Sequence, residues 1–181
     1  MKLLDQYVAM HKIGLFKGKS ALKTFPTFAA LFKRLGCRDY LDYGCGGGWQ
    51  YDRWHVHTDN GLPEPAWRYD PAVEAYREKP SRRRKFDAVF CSDVLEHVPE
   101  AEIGGVMYDL FGYANKLLVA TVCTRPAHKK LPNGMNCHVT VRPPQWWAQV
   151  FTLFLGLNYG LHVEILVDGD PPPLEAAKVA A

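Results

Sequence analysis

Apolar positions along this chain change their period several times, and each change marks an element. Leu3, Leu4, Tyr7 and Val8, then Phe28, Leu31, Phe32 and Leu35, recur at three- and four-residue spacing, which predicts helices within residues 3–35. The run Gly14-Leu15-Phe16-Lys17-Gly18-Lys19-Ser20 separates them as a loop. Pro26 is expected to open the second helix, where a missing N–H does no harm. Beyond residue 38, short apolar runs alternate with helical stretches in the β/α manner. The pattern predicts strands at 39–43, 67–70, 86–91 and 117–123, with a final pair near 136–141 or 161–167. Helices fit 48–56, 100–115 and 144–156. Pro143-Pro144 signals the start of the last one, and Trp146, Trp147, Val150, Phe151 and Phe154 give it an apolar face of core character. The expected organisation is α/β: one domain over 1–170, with a helical cap at 1–36 and a core at 38–168. The sheet is expected to be mostly parallel with an antiparallel strand near the C-terminus, and 171–181 to form a disordered tail.

The junction of the first core strand and helix carries the most informative motif. Asp42-Tyr43-Gly44-Cys45-Gly46-Gly47-Gly48 reads acid, x, Gly, x, Gly, x, Gly. Glycine permits φ > 0 and lets a ligand approach bare backbone, and a following helix start offers free N–H groups. A dinucleotide-binding turn needs G-x-G-x-x-G, but Trp49 stands where its third glycine would fall. Downstream, Trp67-Arg68-Tyr69-Asp70-Pro71 is a short strand ending in an acid, placed to accept both hydroxyls of a ribose. Then Phe86-Asp87-Ala88-Val89 leads into Leu95-Glu96-His97.

These three landmarks, in this order, resemble the class I S-adenosylmethionine (AdoMet) methyltransferases, over roughly residues 38–168. The resemblance implies a Rossmann-like class I methyltransferase sheet preceded by N-terminal helices. It implies that Gly44, Gly46 and Gly48 admit the methionine portion, that Asp42 orients its ammonium group through backbone or water, and that Asp70 binds the ribose. Pro71, Ser92 and Asp93 join the cofactor contacts, with Ala72 and Val73 or the backbone near Cys91-Ser92 flanking the base. One departure stands out: residues 71–85 are too few for the family's helix and third strand, so the third strand is expected to be missing. By the same resemblance the segment before the first core strand is either a lid over the cofactor cleft or a plain packing pair of helices.

Methyl transfer from a sulfonium is an in-line displacement for which the cofactor supplies most of the activation, so the protein has mainly to position the acceptor. Asp93, Glu96 and His97 stand at i, i+3 and i+4 and would share a face of one helical turn. They resemble the carboxylate-x-x-Glu-His of ubiquinone-pathway O-methyltransferases, where that trio is associated with a divalent cation. A metal is the less favoured reading here and no ligand is assigned to one. His97 is instead expected on the acceptor side or as general base, and Asp93 along the methyl-transfer channel. In Leu131-Pro132-Asn133-Gly134-Met135-Asn136-Cys137-His138, Asn136 and His138 alternate and would point the same way in extended chain; His138 is expected to touch the acceptor. His55 and His57 read as surface groups.

Composition narrows the partners. A chain of 181 residues with 48% hydrophobic content can build one real core. No apolar run approaches the ~20 residues of a bilayer span, and Asp5 interrupts the N-terminal run too early for a signal peptide. Five cysteines, odd in number and without C-x-x-C spacing, read as small buried residues of a reducing cytoplasm. A net charge of +3 does not demand a nucleic-acid partner, and Arg82-Arg83-Arg84-Lys85 is either a phosphate contact or a solvated loop. Where amino-methylating DNA enzymes carry [DNS]-P-P-[YF], this chain has Ser92-Asp93-Val94-Leu95, and it has no Pro-Cys nucleophile of the cytosine-C5 type. The expectation is therefore a cytoplasmic AdoMet-dependent methyltransferase, releasing S-adenosyl-L-homocysteine and methylating a small-molecule or glycan-like acceptor at oxygen. Its alternatives are a non-catalytic AdoMet-binding regulatory protein and a small-RNA methyltransferase. The sequence leaves the oligomeric state open.

Overall fold

The computed structural model describes residues 1–16 and 19–167, so the expected tail lies outside the described residues. The helices are α1 (Leu3–Lys12), α2 (Ala21–Arg34), α3 (Trp49–Asp52), α4 (Val56–Asp59), α5 (Glu100–Tyr113) and α6 (Pro144–Leu155). The strands are β1 (Tyr40–Tyr43), β2 (Trp67–Tyr69), β3 (Phe86–Ser92), β4 (Ala114–Val122) and β5 (His162–Val167). They form one sheet in the order β2-β1-β3-β4-β5, and every neighbouring pair is parallel. This α/β arrangement is compatible with a Rossmann-like fold. Among the described residues no helix is long and apolar enough to cross a membrane.

Parallel pairing buries both faces of the sheet, and the strands read accordingly. On one face Leu41, Tyr43, Val89, Cys91, Leu118 and Ala120 pack with Ile103, Met107, Leu110 and Phe111 of α5 and with Trp147 and Phe151 of α6. On the other, Tyr40, Ala88, Phe90, Leu117 and Val119 meet Phe25, Phe28 and Phe32 of α2. The two sets alternate along each strand, as a period of two requires. A third, smaller cluster joins Met10, Leu131 and Cys137, with Leu3, Tyr7 and Phe16 against it. It ties α1 to the long connection after β4 rather than to the sheet.

Several expectations are corrected. The last strand is parallel, not antiparallel: α6 carries the chain back across the sheet, so β5 enters in the same direction as β4. Of the two candidate segments only the later becomes a strand. Residues 136–141 make a single isolated bridge, Lys130 to Asn136; Thr140 instead donates its N–H to the Glu96 carbonyl and its hydroxyl to the Val98 carbonyl. Pro26 lies inside α2 rather than at its start. The helix opens earlier because Leu22 and Lys23 N–H groups reach the Lys19 and Ser20 carbonyls. Pro26 is exposed there, and so is Leu22, whose carbonyl it deprives of its helical N–H partner. The helix expected over 48–56 breaks into α3 and α4 at His55, whose φ is +46°. Between Tyr69 and Phe86 the only regular element is a 3₁₀ turn, Glu74–Tyr76, so β2 is the edge of the sheet.

Candidate functional site

The strand order reverses at β1. The chain runs outward from β1 to β2 and then returns to place β3 on the other side. Ligand crevices of open α/β sheets lie outside the carboxyl ends of the strands at such a point. Here those ends carry the glycine turn after β1, Asp70 after β2 and Asp93 after β3. A cleft of about 1490 Å³ opens there, lined among others by Asp42, Gly44, Gly46, Asp70, Pro71, Ser92, Asp93, His97 and His138.

Gly44 is a position where glycine is mandatory. Its φ is +87°, and a Cβ would stand 2.1 Å from Cγ2 of Val94. The strand ends of β1 and β3 therefore approach through bare backbone. Gly48, expected with Gly44 and Gly46 in the cleft, caps α3 and faces Tyr76, Arg68 and Asp52 instead. The first three amides of the turn are already bonded: Gly44 and Cys45 both donate to the Tyr69 carbonyl, and Gly46 donates to Asp70 Oδ2 at 2.9 Å. Asp70 also accepts from Ala72 N–H through Oδ1 at 2.9 Å. Its carboxylate thus clamps the glycine turn to the end of β2 while facing the cleft.

Asp42 is buried and accepts from Gln50 Nε2 at 3.0 Å and from the Tyr51 hydroxyl at 2.7 Å, both at Oδ2. Burial pushes its carboxyl up to about 6, and the bonds from Tyr51 and Gln50 only partly offset that rise. Gln50 is a cleft-lining residue that sequence reasoning missed. Its Nε2 serves two acceptors, Asp42 Oδ2 and the Cys45 carbonyl, which fixes the amide orientation. Its Oε1 is then left buried without a partner at the cleft wall. A polar residue one step inside a helix start gives no sequence signal of this kind.

Beyond the glycine turn the wall is built from α1 and the 123–138 connection. The Tyr7 hydroxyl donates to the Cys137 carbonyl at 2.6 Å and lies 3.2 Å from the His97 carbonyl. His11 reaches over Gly46, its Cε1 being 3.6 Å from where a Cβ would stand. Burial lowers the His11 pKa, against the opposing pull of the Asp70 carboxylate. His11 too was missed, although Tyr7 and His11 share a face of α1 at i, i+4. Of the expected cap, α1 and the loop after it border the cleft, while α2 packs on the sheet.

Asp93, Glu96 and His97 do not form one helical face. Asp93 adopts φ +52° ahead of the 3₁₀ turn Leu95–His97. Its carboxylate accepts from the Thr121 hydroxyl at 2.7 Å, and its N–H donates back to that oxygen at 2.9 Å. Thr121 uses its single proton on Asp93, so the Ser92 hydroxyl, 3.0 Å away, is the donor to Thr121. Thr121 was a legible signal, a polar residue within the otherwise apolar run Leu117–Val122. Glu96 is fully buried and accepts from Cys123 N–H at 3.1 Å.

His97 sits at the junction of all these parts. Its ring meets Tyr7, Phe16 and His138 edge-on, with centroids 5.5, 5.7 and 4.9 Å away. Burial, reinforced by the neighbouring His138, pushes its pKa down to about 4. With that shift the ring is neutral near pH 7 and a weak proton acceptor. His138 lines the cleft as expected, with Nδ1 2.6 Å from the Arg125 carbonyl. Asn136 does not point with it: its amide bridges Ala127 N–H, Ala127 C=O and His138 N–H, bracing the loop.

The remaining candidates fall elsewhere. His57 is buried rather than at the surface, with Nε2 2.8 Å from Glu64 Oε1; α4 packs Val56 into the core beneath α2 and draws His57 in with it. Arg82–Lys85 precedes β3, at the amino ends of the strands and away from the cleft. There Arg84 lies over Trp67 and Phe86, and Lys85 bonds the Gly112 carbonyl. Compared with models of known protein families, with curated proteins and with solved structures, the chain matches none.

Proposed function

We propose that this protein is an AdoMet-dependent methyltransferase acting on a small-molecule or glycan-like acceptor, with transfer to oxygen. One observation carries the reading: a glycine turn flanked by two acids, Asp42 and Asp70, opens at the reversal of strand order into a cleft whose far half is bordered by histidines. The cofactor's ammonium group would meet Gln50 Oε1 beside Asp42, an orphaned buried acceptor next to a carboxylate with a raised pKa. Its ribose would meet Asp70, already fixed by two backbone amides. The adenine would lie over Pro71 and Ala72, which line the same cleft. In the reaction the methyl carbon–sulfur bond breaks as a carbon–oxygen bond forms, the sulfonium becomes a thioether, and the acceptor's proton leaves to solvent or a neighbouring base.

Calorimetric titration with AdoMet and S-adenosylhomocysteine, with NAD as control, tests the cofactor assignment. Binding of both near micromolar Kd, and none of NAD, is the expected result. Failure to bind either defeats the reading. Asp70→Ala is expected to weaken AdoMet roughly tenfold or more, by removing a charged acceptor of two hydroxyl bonds. An acceptor screen with labelled methyl groups then separates the enzyme from a regulatory protein that only binds AdoMet. The RNA alternative gains nothing from the basic run, which lies at the opposite end of the sheet.

A further inference from the structure

We propose that Glu96, His97 and His138 form a binding site for a divalent transition-metal ion at the floor of the cleft. The first ground is proximity. One nitrogen from each ring and one carboxylate oxygen lie within 4.8 Å of one another. Two imidazoles and one carboxylate are a borderline donor set that suits Zn²⁺, Co²⁺ or Fe²⁺ rather than Ca²⁺ or Mg²⁺.

The second ground is the way the rings are held. Nδ1 of His97 lies 2.9 Å from the Cys137 carbonyl, and Nδ1 of His138 lies 2.6 Å from the Arg125 carbonyl. A carbonyl only accepts, so in the neutral ring each Nδ1 carries the proton and each Nε2 keeps its lone pair. Metal-ligating histidines are oriented in this way, by a backbone acceptor on the other nitrogen. The carboxylate is held as well, by the Cys123 N–H on Glu96 Oε1. All three supports come from the 123–138 connection, two from its start at Cys123 and Arg125 and one from Cys137 near its end.

Asp93 is not part of this set. Its positive φ and its bond to Thr121 turn it away from the 3₁₀ turn that carries Glu96 and His97. The third ligand arrives from a loop far along the chain, so spacing within Asp93–His97 does not disclose the site. Donors of a tetrahedral ion at ~2.0–2.1 Å stand about 3.3 Å apart, so the cluster must contract on binding. The half-exposed His138, on a loop, is the member able to move. Lys129, whose ammonium lies 4.9 Å over the Phe16 ring, is a positive neighbour of His97. It favours an anionic oxygen ligand in the coordination positions open to the cleft.

The inference is independent of the AdoMet reading, because the metal and the cofactor are titrated separately. The test is titration of chelator-treated full-length protein with Co²⁺, followed by its visible d–d absorption and competed with Zn²⁺. Wild type is expected to bind close to one Co²⁺ per chain, with the absorption of a four- or five-coordinate ion. His138→Ala and His97→Ala are expected to weaken binding roughly tenfold or more, whereas Asp93→Asn and His55→Asn leave it unchanged. Circular dichroism checks folding; should His97→Ala unfold, the loop variant His138→Ala decides alone. No stoichiometric binding by wild type would overturn the proposal. So would binding that survives His138→Ala, or that is lost with Asp93→Asn while His138→Ala retains it.

Discussion

Two residues show how much local chemistry the glycine turn concentrates. Gly44 combines a left-handed backbone with a Cβ position 2.1 Å from Val94 Cγ2. Gly44→Ala is expected to destabilise by about 2–4 kcal/mol, from the left-handed penalty and overpacking together. Adding Val94→Ala should recover the overpacking part only, as urea denaturation of the single and double variants would reveal. Asp42 makes the pH prediction. Its folded pKa of about 6 exceeds the unfolded value near 3.8, so the folded state holds an extra proton between them and loses stability as pH rises through that window. A bound ammonium favours the ionised form, so AdoMet affinity should rise with pH up to about 6 and then level off. Asp42→Asn should flatten that profile; a profile unchanged in the variant would remove Asp42 from the ammonium site. The place of Gly44, Gly46 and both acids at the cleft was legible in the sequence because each needs a special backbone or a strand end, whereas Gly48 faces away from it. Gln50 and His11 were not legible, since their roles arise only when a helix brings an ordinary polar side chain against the cleft.

At the scale of elements, α1 and α6 make different contributions. Helix α1 is held on the 123–138 connection by the Tyr7 hydroxyl and by the small cluster around Met10 and Cys137. Tyr7→Phe removes the bond to the Cys137 carbonyl and should cost about 1 kcal/mol. Hydrogen exchange should then quicken in residues 129–138 and leave β3 and β4 unchanged; equal acceleration everywhere would contradict a separate cap. Helix α6 is anchored by Trp147, fully buried, with an indole N–H that has no partner. Trp147→Ala should therefore cost about 3–5 kcal/mol and Trp147→Phe much less, since Phe leaves no unsatisfied donor. The apolar face of α6 was legible from its spacing. The direction of β5 was not, because a strand's own residues do not reveal which end of the sheet the preceding helix returns it to. Nor did spacing reveal that Asp93 leaves the turn, since its conformation is set by Thr121 from another strand.

For the whole molecule, the basic run Arg82–Lys85 and the cleft lie at opposite ends of the sheet. Arg82→Ser with Arg83→Ser, both ahead of β3, should leave AdoMet binding within about twofold of wild type at low and moderate salt, the electrostatic reach being about a Debye length. A large loss would tie the basic run to the site. The strand order has a consequence for synthesis. Strand β1 is flanked on one side by β2 and on the other by β3, so a nascent chain that has not reached Phe86 leaves one side of β1 without hydrogen-bond partners. All four residues of that strand are buried in the finished protein. Such an open, apolar edge is a template for pairing with another chain. Fragments ending before Phe86 should then aggregate on emergence from the ribosome, and the glycine turn, for all its resemblance to a portable module, depends on a strand made later to keep it soluble.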